Sequence, residues 1–69
     1  MVVTLTAREL QIARLIAQGM TYQEMGDELD LSPATVKAYT DQVRRLLGLK
    51  HKRHIPAKLR ELGYTIDIT

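Results

Sequence analysis

Helix-start signals recur three times in the first half of the chain, each answered by a stop, and this punctuation admits little besides short helices. Thr6-Ala7-Arg8-Glu9 and Thr21-Tyr22-Gln23-Glu24 both have the form of a capping box. In that motif the threonine hydroxyl accepts from the backbone N–H three residues on, and the glutamate reaches back to the threonine N–H. Ser32-Pro33 is a third start: a serine N-cap followed by proline at the first helical position, where the missing N–H has no partner to lose. The matching stops are Gly19, Asp30 and Gly48, residue types that tolerate positive φ.

Between these marks the apolar residues fall at helical spacing. A first helix over about 7–18 carries Leu10, Ile12, Ala13, Leu15, Ile16 and Ala17, and a short second one over about 22–29 carries Met25 and Leu29. A third, over about 33–47, has Val36, Tyr39, Val43, Leu46 and Leu47 on the side expected to be buried. Ile55, Leu59 and Leu62 stand at i, i+4 and i+7 before Gly63, giving a fourth helix over about 54–62 with Pro56 confined to its first turn. The expected fold is an all-α four-helix bundle in a single domain over 1–69. The ends, Val2 to Leu5 and Tyr64 to Thr69, are β-branched and partly alternating, and read either as short β-like segments or as frayed tails.

The second and third helices are joined by about three residues, so they must cross steeply and touch closely. Gly26 supplies the small residue that such a crossing needs, although glycine inside a helix costs about 1 kcal/mol relative to alanine. With Met25, Leu29, Leu31, Val36 and Tyr39 turned inward, this is the pattern of a helix-turn-helix, the plainer alternative being an αα-hairpin in a bundle.

Size and composition narrow the function. Sixty-nine residues without Cys, Trp or Phe hold one modest core of marginal stability, which makes dimerisation a natural expectation. There is no thiolate for a zinc finger, no apolar run long enough to span a bilayer and no signal-peptide pattern, so the expected location is the cytoplasm. Charge is divided unevenly. Residues 1–36 carry two Lys or Arg against five Asp or Glu, whereas residues 37–60 carry eight against one. Such a basic segment is either a solvated surface or a face for a polyanion.

If the apolar stripe of the third helix faces the core, Ala34, Lys37, Ala38, Asp41, Arg44 and Arg45 lie on its opposite side. An α-helix fits the DNA major groove, where small Ala34 and Ala38 would allow close approach and contact with thymine methyls. Lys37 could donate to guanine or to phosphate, while Arg44 and Arg45 suit phosphate. Asp41 has three readings: accepting from cytosine N4, pairing with Lys37 or Arg45, or repelling phosphates.

The chain resembles the LuxR-type (NarL/FixJ, GerE-like) DNA-binding domain. The resemblance rests on Leu5-Thr6-Ala7-Arg8-Glu9, Ile16-Ala17-Gln18-Gly19, Thr21-Tyr22-Gln23-Glu24, Leu31-Ser32-Pro33-Ala34-Thr35-Val36-Lys37, Leu47-Gly48-Leu49 and Leu62-Gly63-Tyr64. It implies a four-helix bundle whose third helix enters the major groove and whose fourth forms a two-fold contact. By that resemblance Thr35, Lys37 and Ala38 match groove-facing positions. Thr21 and Tyr22, with Gln23 beside them, match positions at the start of the second helix that contact the DNA backbone. Lys50, Lys52 and Arg53 add phosphate candidates from the next loop, and Ile55, Lys58, Leu59 and Leu62 become dimer-interface candidates. A bacterial, plasmid or phage origin is implied in the same way.

Other chemistry finds little support. His51 and His54 have no neighbouring carboxylate or thiolate to complete a metal set, and Ser32, the only serine, is accounted for as a cap. No phosphate loop, paired-carboxylate cleft or catalytic triad is apparent, so neither an enzyme nor a cofactor is expected. The expected function is sequence-specific binding of double-stranded DNA by a small free-standing regulator acting as a dimer, with RNA polymerase or another regulator as further partners. The alternative is a protein-interaction module of the same fold that pairs with another regulator. It is motivated by Gln23, Asp41 and Leu46, which carry less positive charge than the residues usual at those positions in the family.

Overall fold

The computed structural model describes residues 4–63. They form four α-helices: α1 (Ala7–Ala17), α2 (Tyr22–Leu29), α3 (Pro33–Leu46) and α4 (Ile55–Glu61), the last preceded by a single 3-10 turn over Lys52–His54. No strand occurs among the described residues, and the all-α expectation holds. Most of the two end segments read as β-like or frayed lies outside the described residues. Thr4 and Leu5, which are described, are in no regular element, and Leu5 is buried in the core.

The first three helices start where the sequence signals them. Thr6 Oγ1 accepts from Glu9 N–H at 3.1 Å and Glu9 Oε1 accepts from Thr6 N–H at 2.8 Å, closing the first capping box. Thr21 and Glu24 repeat the arrangement at 3.1 and 2.9 Å. Ser32 Oγ accepts from Thr35 N–H at 3.1 Å ahead of Pro33. The second helix stops at Leu29 as expected, whereas the others stop a residue early: α1 at Ala17, α3 at Leu46 with Leu47 as its C-cap, and α4 at Glu61. At the last helix, Lys52–His54 form the tighter 3-10 turn before Pro56, so α4 begins at Ile55 rather than at His54.

The α2–α3 turn is closely packed. Asp30 takes the left-handed conformation (φ 59°), and the Gly26 carbonyl accepts from Leu31 N–H at 2.8 Å. The chain thereby folds back so closely that a Cβ on Gly26 would collide with the Leu31 carbonyl oxygen. The small residue anticipated here is therefore required by the turn backbone itself.

Two apolar clusters share α1 as their common wall. Ile12, Leu15, Met25 and Val36 hold the helix-turn-helix against α1, whereas Ala13, Val43, Leu47, Ile55, Leu59 and Leu5 join α1, the end of α3 and α4. Ile16 packs against both clusters, tying the orientation of α3 to the whole bundle. Two expectations for α3 are corrected. Leu46 is 45% exposed, and Thr40, not counted among the inward residues, is fully buried. The true stripe is Val36, Thr40, Val43, Leu47, at i, i+4, i+7 and i+11. Leu46 falls about a quarter-turn off that line at 3.6 residues per turn. Burying the Thr40 hydroxyl is tolerable because it donates to the Val36 carbonyl at 2.9 Å.

Candidate nucleic-acid interface

With that stripe committed to the core, the opposite side of α3 is open. Ala34, Thr35, Lys37, Ala38, Gln42 and Arg45 are all exposed there. The helix has 14 residues, about 21 Å of rod at 1.5 Å per residue. Its outer face is lined by small side chains at Ala34 and Ala38, flanked by the Lys37 and Arg45 cations. The Thr35 hydroxyl is not idle, since it lies 2.9 Å from Ser32 Oγ.

Asp41 and Arg44 behave differently from the rest of the face. Both are half-buried, and Arg44 Nε lies 4.0 Å from Asp41 Oδ1, so the aspartate pairs three residues on rather than with Lys37 or Arg45. Arg44 Nη1 also donates to the Leu49 carbonyl at 2.8 Å, fastening the loop after Gly48 to the end of α3. Arg44, a phosphate candidate by sequence, is therefore partly engaged in holding the fold, while Arg45 is exposed and without a partner among the described residues.

Gln42 was missed by the sequence reading. It is exposed, makes no side-chain hydrogen bond among the described residues, and lines a shallow depression with Thr35, Ala38 and Tyr39. Its spacing, i+4 from Ala38 and i+7 from Thr35, was the available signal.

A second patch gathers around the start of α2. The capping box pulls the Glu24 carboxyl below the usual carboxylate range, chiefly through the Thr21 backbone N–H and then the Thr21 hydroxyl. The carboxylate therefore sits at the positive end of α2, where a helix favours negative charge. Gln23 Nε2 donates to Asp27 Oδ1 at 3.2 Å along the helix surface. Lys52 comes across from the 3-10 turn and places Nζ 3.9 Å from the centroid of the Tyr22 ring, a contact that no spacing in the sequence announces. Below it lies a cleft of about 330 Å³ lined by Ile16, Gly19, Met20, Thr21, Met25, Lys52 and Arg53. Thus Thr21, Tyr22, Lys52 and Arg53, separated by some thirty positions in the chain, share one region of surface. Lys50 is exposed two residues away from Lys52. The His51 and His54 rings are tilted with centroids 6.2 Å apart. Among the described residues, no three His, Cys, Asp or Glu side chains come together as a metal site.

The fourth helix corrects the expected dimer face. Ile55 and Leu59 are fully buried in the cluster with Ala13, Val43 and Leu47, so neither offers a side chain to a partner. Burying them is what attaches α4 to the bundle. Lys58 is half-buried, and Leu62 is 43% exposed at the end of the helix. No described helix is long and apolar enough to cross a membrane.

Comparison with known proteins agrees with this architecture. The family model described as "Bacterial regulatory proteins, luxR family" matches residues 3–59. The chain is 43% identical over 47 residues to the transcriptional regulatory protein UhpA of Escherichia coli (strain K12), covering 68% of this chain and 24% of that protein. It is 30% identical over 66 residues to the HTH-type transcriptional regulator MalT of Klebsiella pneumoniae, covering 90% of this chain and 7% of that one. Against the two-component response regulator PprB of Pseudomonas aeruginosa the identity is 33% over 55 residues, covering 80% and 20%. The chain thus spans about a quarter or less of the length of these relatives. No solved structure gives a significant match. With the family model covering α1 to α3 and most of α4, the chain belongs to the luxR family of bacterial regulatory proteins, a family of DNA-binding helix-turn-helix transcription regulators.

Proposed function

We propose that these residues bind double-stranded DNA sequence-specifically, with α3 lying in the major groove and the start of α2 resting on the sugar–phosphate backbone. The observation that carries this reading is the two-sidedness of α3. Val36, Thr40, Val43 and Leu47 are committed to the core while Ala34, Lys37, Ala38, Gln42 and Arg45 are presented together on the outside. Small residues admit the helix to the groove, Lys37 donates to base edges, and Thr35 flanks them. Arg45, Lys50, Lys52 and Arg53 face phosphates, with Thr21, Tyr22 and Gln23 beside them. Two copies, contacting through the exposed end of α4 at Lys58 and Leu62, would read half-sites about one helical turn apart. Such a dimer would act on transcription in the bacterial cytoplasm by occupying its site or by contacting RNA polymerase or another regulator.

The test is fluorescence anisotropy of a labelled mixed-sequence duplex titrated with the protein at several salt concentrations, with sedimentation run in parallel. Binding that weakens steeply as salt rises supports phosphate contact, because each neutralised phosphate releases counterions. A folded protein that binds no duplex at low salt overturns the reading and leaves the protein-interaction module in its place.

A further inference from the structure

We infer that Tyr22 is a positioning residue for Lys52, its ring holding the Lys52 ammonium beside the start of α2 so that the cation meets a DNA phosphate there. This inference rests on the DNA-binding reading above and deepens it. A lysine in a loop is ordinarily a poor fixed contact, because its four-carbon stem samples many rotamers that binding must then restrict. Here the ammonium lies 3.9 Å from the Tyr22 ring centroid, where the negative face of the ring attracts it. The ring is itself fixed, since Tyr22 is half-buried and packs against the cluster of Ile12, Leu15, Met25 and Val36. The Lys52–His54 segment is a 3-10 turn closed by the His54 N–H donating to the His51 carbonyl at 3.2 Å, and it feeds directly into α4 through the buried Ile55.

The consequence is a strut between two parts of the molecule. It joins the first residue of α2 to the turn before α4, beside the cleft that Lys52 lines with Ile16, Met20 and Met25. Lys52 has no carboxylate partner within ion-pair distance among the described residues, so its charge is not cancelled where it stands. A cation held over an aromatic face keeps N–H bonds pointing away from the ring, and these are available to a phosphate oxygen. Tyr22 thus acts through Lys52, and the two behave as one contact.

The experiment measures duplex affinity against salt for the wild type, Lys52→Met, Lys52→Arg, Tyr22→Phe, Tyr22→Leu and the Tyr22→Leu/Lys52→Met double variant, each shown folded by circular dichroism. Lys52→Met is expected to weaken binding and lower the salt slope by about one. Tyr22→Leu should weaken binding about two- to fivefold, the size of an exposed cation–π contact. It should have no further effect in the Lys52→Met background. Tyr22→Phe, which keeps the ring, and Lys52→Arg, which keeps the charge, should each retain the wild-type salt slope and lose less affinity than Tyr22→Leu and Lys52→Met respectively. Independently of DNA, the Lys52 side-chain protons should show an upfield ring-current shift by NMR that Tyr22→Phe preserves and Tyr22→Leu abolishes. An unchanged salt slope in Lys52→Met, additive losses in the double variant, or a loss in Tyr22→Phe equal to that in Tyr22→Leu would each overturn the inference. If wild type binds no duplex, the underlying reading fails first, even with the ring-current shift intact. Should Tyr22→Leu not fold, Tyr22→Met, which fills similar space without a ring, takes its place with the same expected losses.

Discussion

The α-carbon of Gly26 faces the carbonyl oxygen of Leu31 with no room for a methyl group between them. Replacing glycine by alanine in a helix ordinarily stabilises by about 1 kcal/mol. Here the obstacle is backbone held by the Leu31 N–H to Gly26 carbonyl hydrogen bond, and it cannot swing aside as a side chain would. Gly26→Ala is therefore expected to destabilise the fold by about 1–3 kcal/mol, as overpacking does. That should lower the melting temperature by at least about 4 °C in a domain of this size. A calorimetric scan showing an unchanged or raised midpoint would contradict the close approach.

Glu24 predicts an acid dependence. Its folded pKa is lowered by the Thr21 backbone N–H and hydroxyl, so its contribution is full above the unfolded value and is lost as pH falls through the lowered folded one. Urea melts of wild type and Glu24→Gln should differ most near neutral pH and converge as pH falls from the unperturbed glutamate value, roughly 4.3, through the lowered folded one. A difference that stayed constant over that range would show that ionisation of Glu24 contributes nothing to the cap.

Gln42 is expected to read a base. A glutamine amide can donate and accept simultaneously on adenine N6 and N7, and this one has no hydrogen-bond partner to give up among the described residues. Gln42→Ala should lose about 1–3 kcal/mol at one A·T pair and little elsewhere, as measured by competition with duplexes changed one pair at a time. Equal losses on every duplex would assign Gln42 to the phosphates.

Leu62 carries the dimer prediction now that Ile55 and Leu59 are accounted for by the core. A half-exposed leucine at the end of α4 is the apolar side chain left there for a second copy to cover. Leu62→Glu should shift the sedimentation coefficient towards monomer. It should also remove the preference for two half-sites over one while leaving half-site binding intact. If the wild type sediments as a dimer and Leu62→Glu does too, the contact lies elsewhere.

The first three helix starts, the turn at Asp30 and the outward side of α3 were legible because each follows from local chemistry: a hydroxyl three residues before a glutamate, a residue that accepts positive φ, a repeat of 3.6. Thr40 was not, because apolar pattern reading passes over a threonine whose hydroxyl is satisfied by the carbonyl four residues back. Leu46 was misassigned for the complementary reason, since hydrophobicity alone does not show that a position lies a quarter-turn off the buried line. The burial of Ile55 and Leu59 and the meeting of Lys52 with Tyr22 depend on how α4 closes over α1. No local rule specifies that closure.

Asp41 stands on the face proposed to enter the groove, and its pairing decides what it does there. The partner is Arg44 at 4.0 Å, with both side chains partly exposed, and such a pair contributes about 0–1 kcal/mol to stability. Removing the charge should therefore leave the fold nearly unchanged, the more so because Arg44 keeps its bond to the Leu49 carbonyl. What changes is the field over the recognition face: a negative charge that opposes phosphate is gone, and Arg44 is left uncancelled. Asp41→Asn is thus expected to tighten binding to every duplex at low salt, with the gain shrinking as salt is raised and the surface charge is screened. Loss of preference at a single C·G pair, in place of a uniform gain, would mean that Asp41 leaves Arg44 on binding and accepts from cytosine N4.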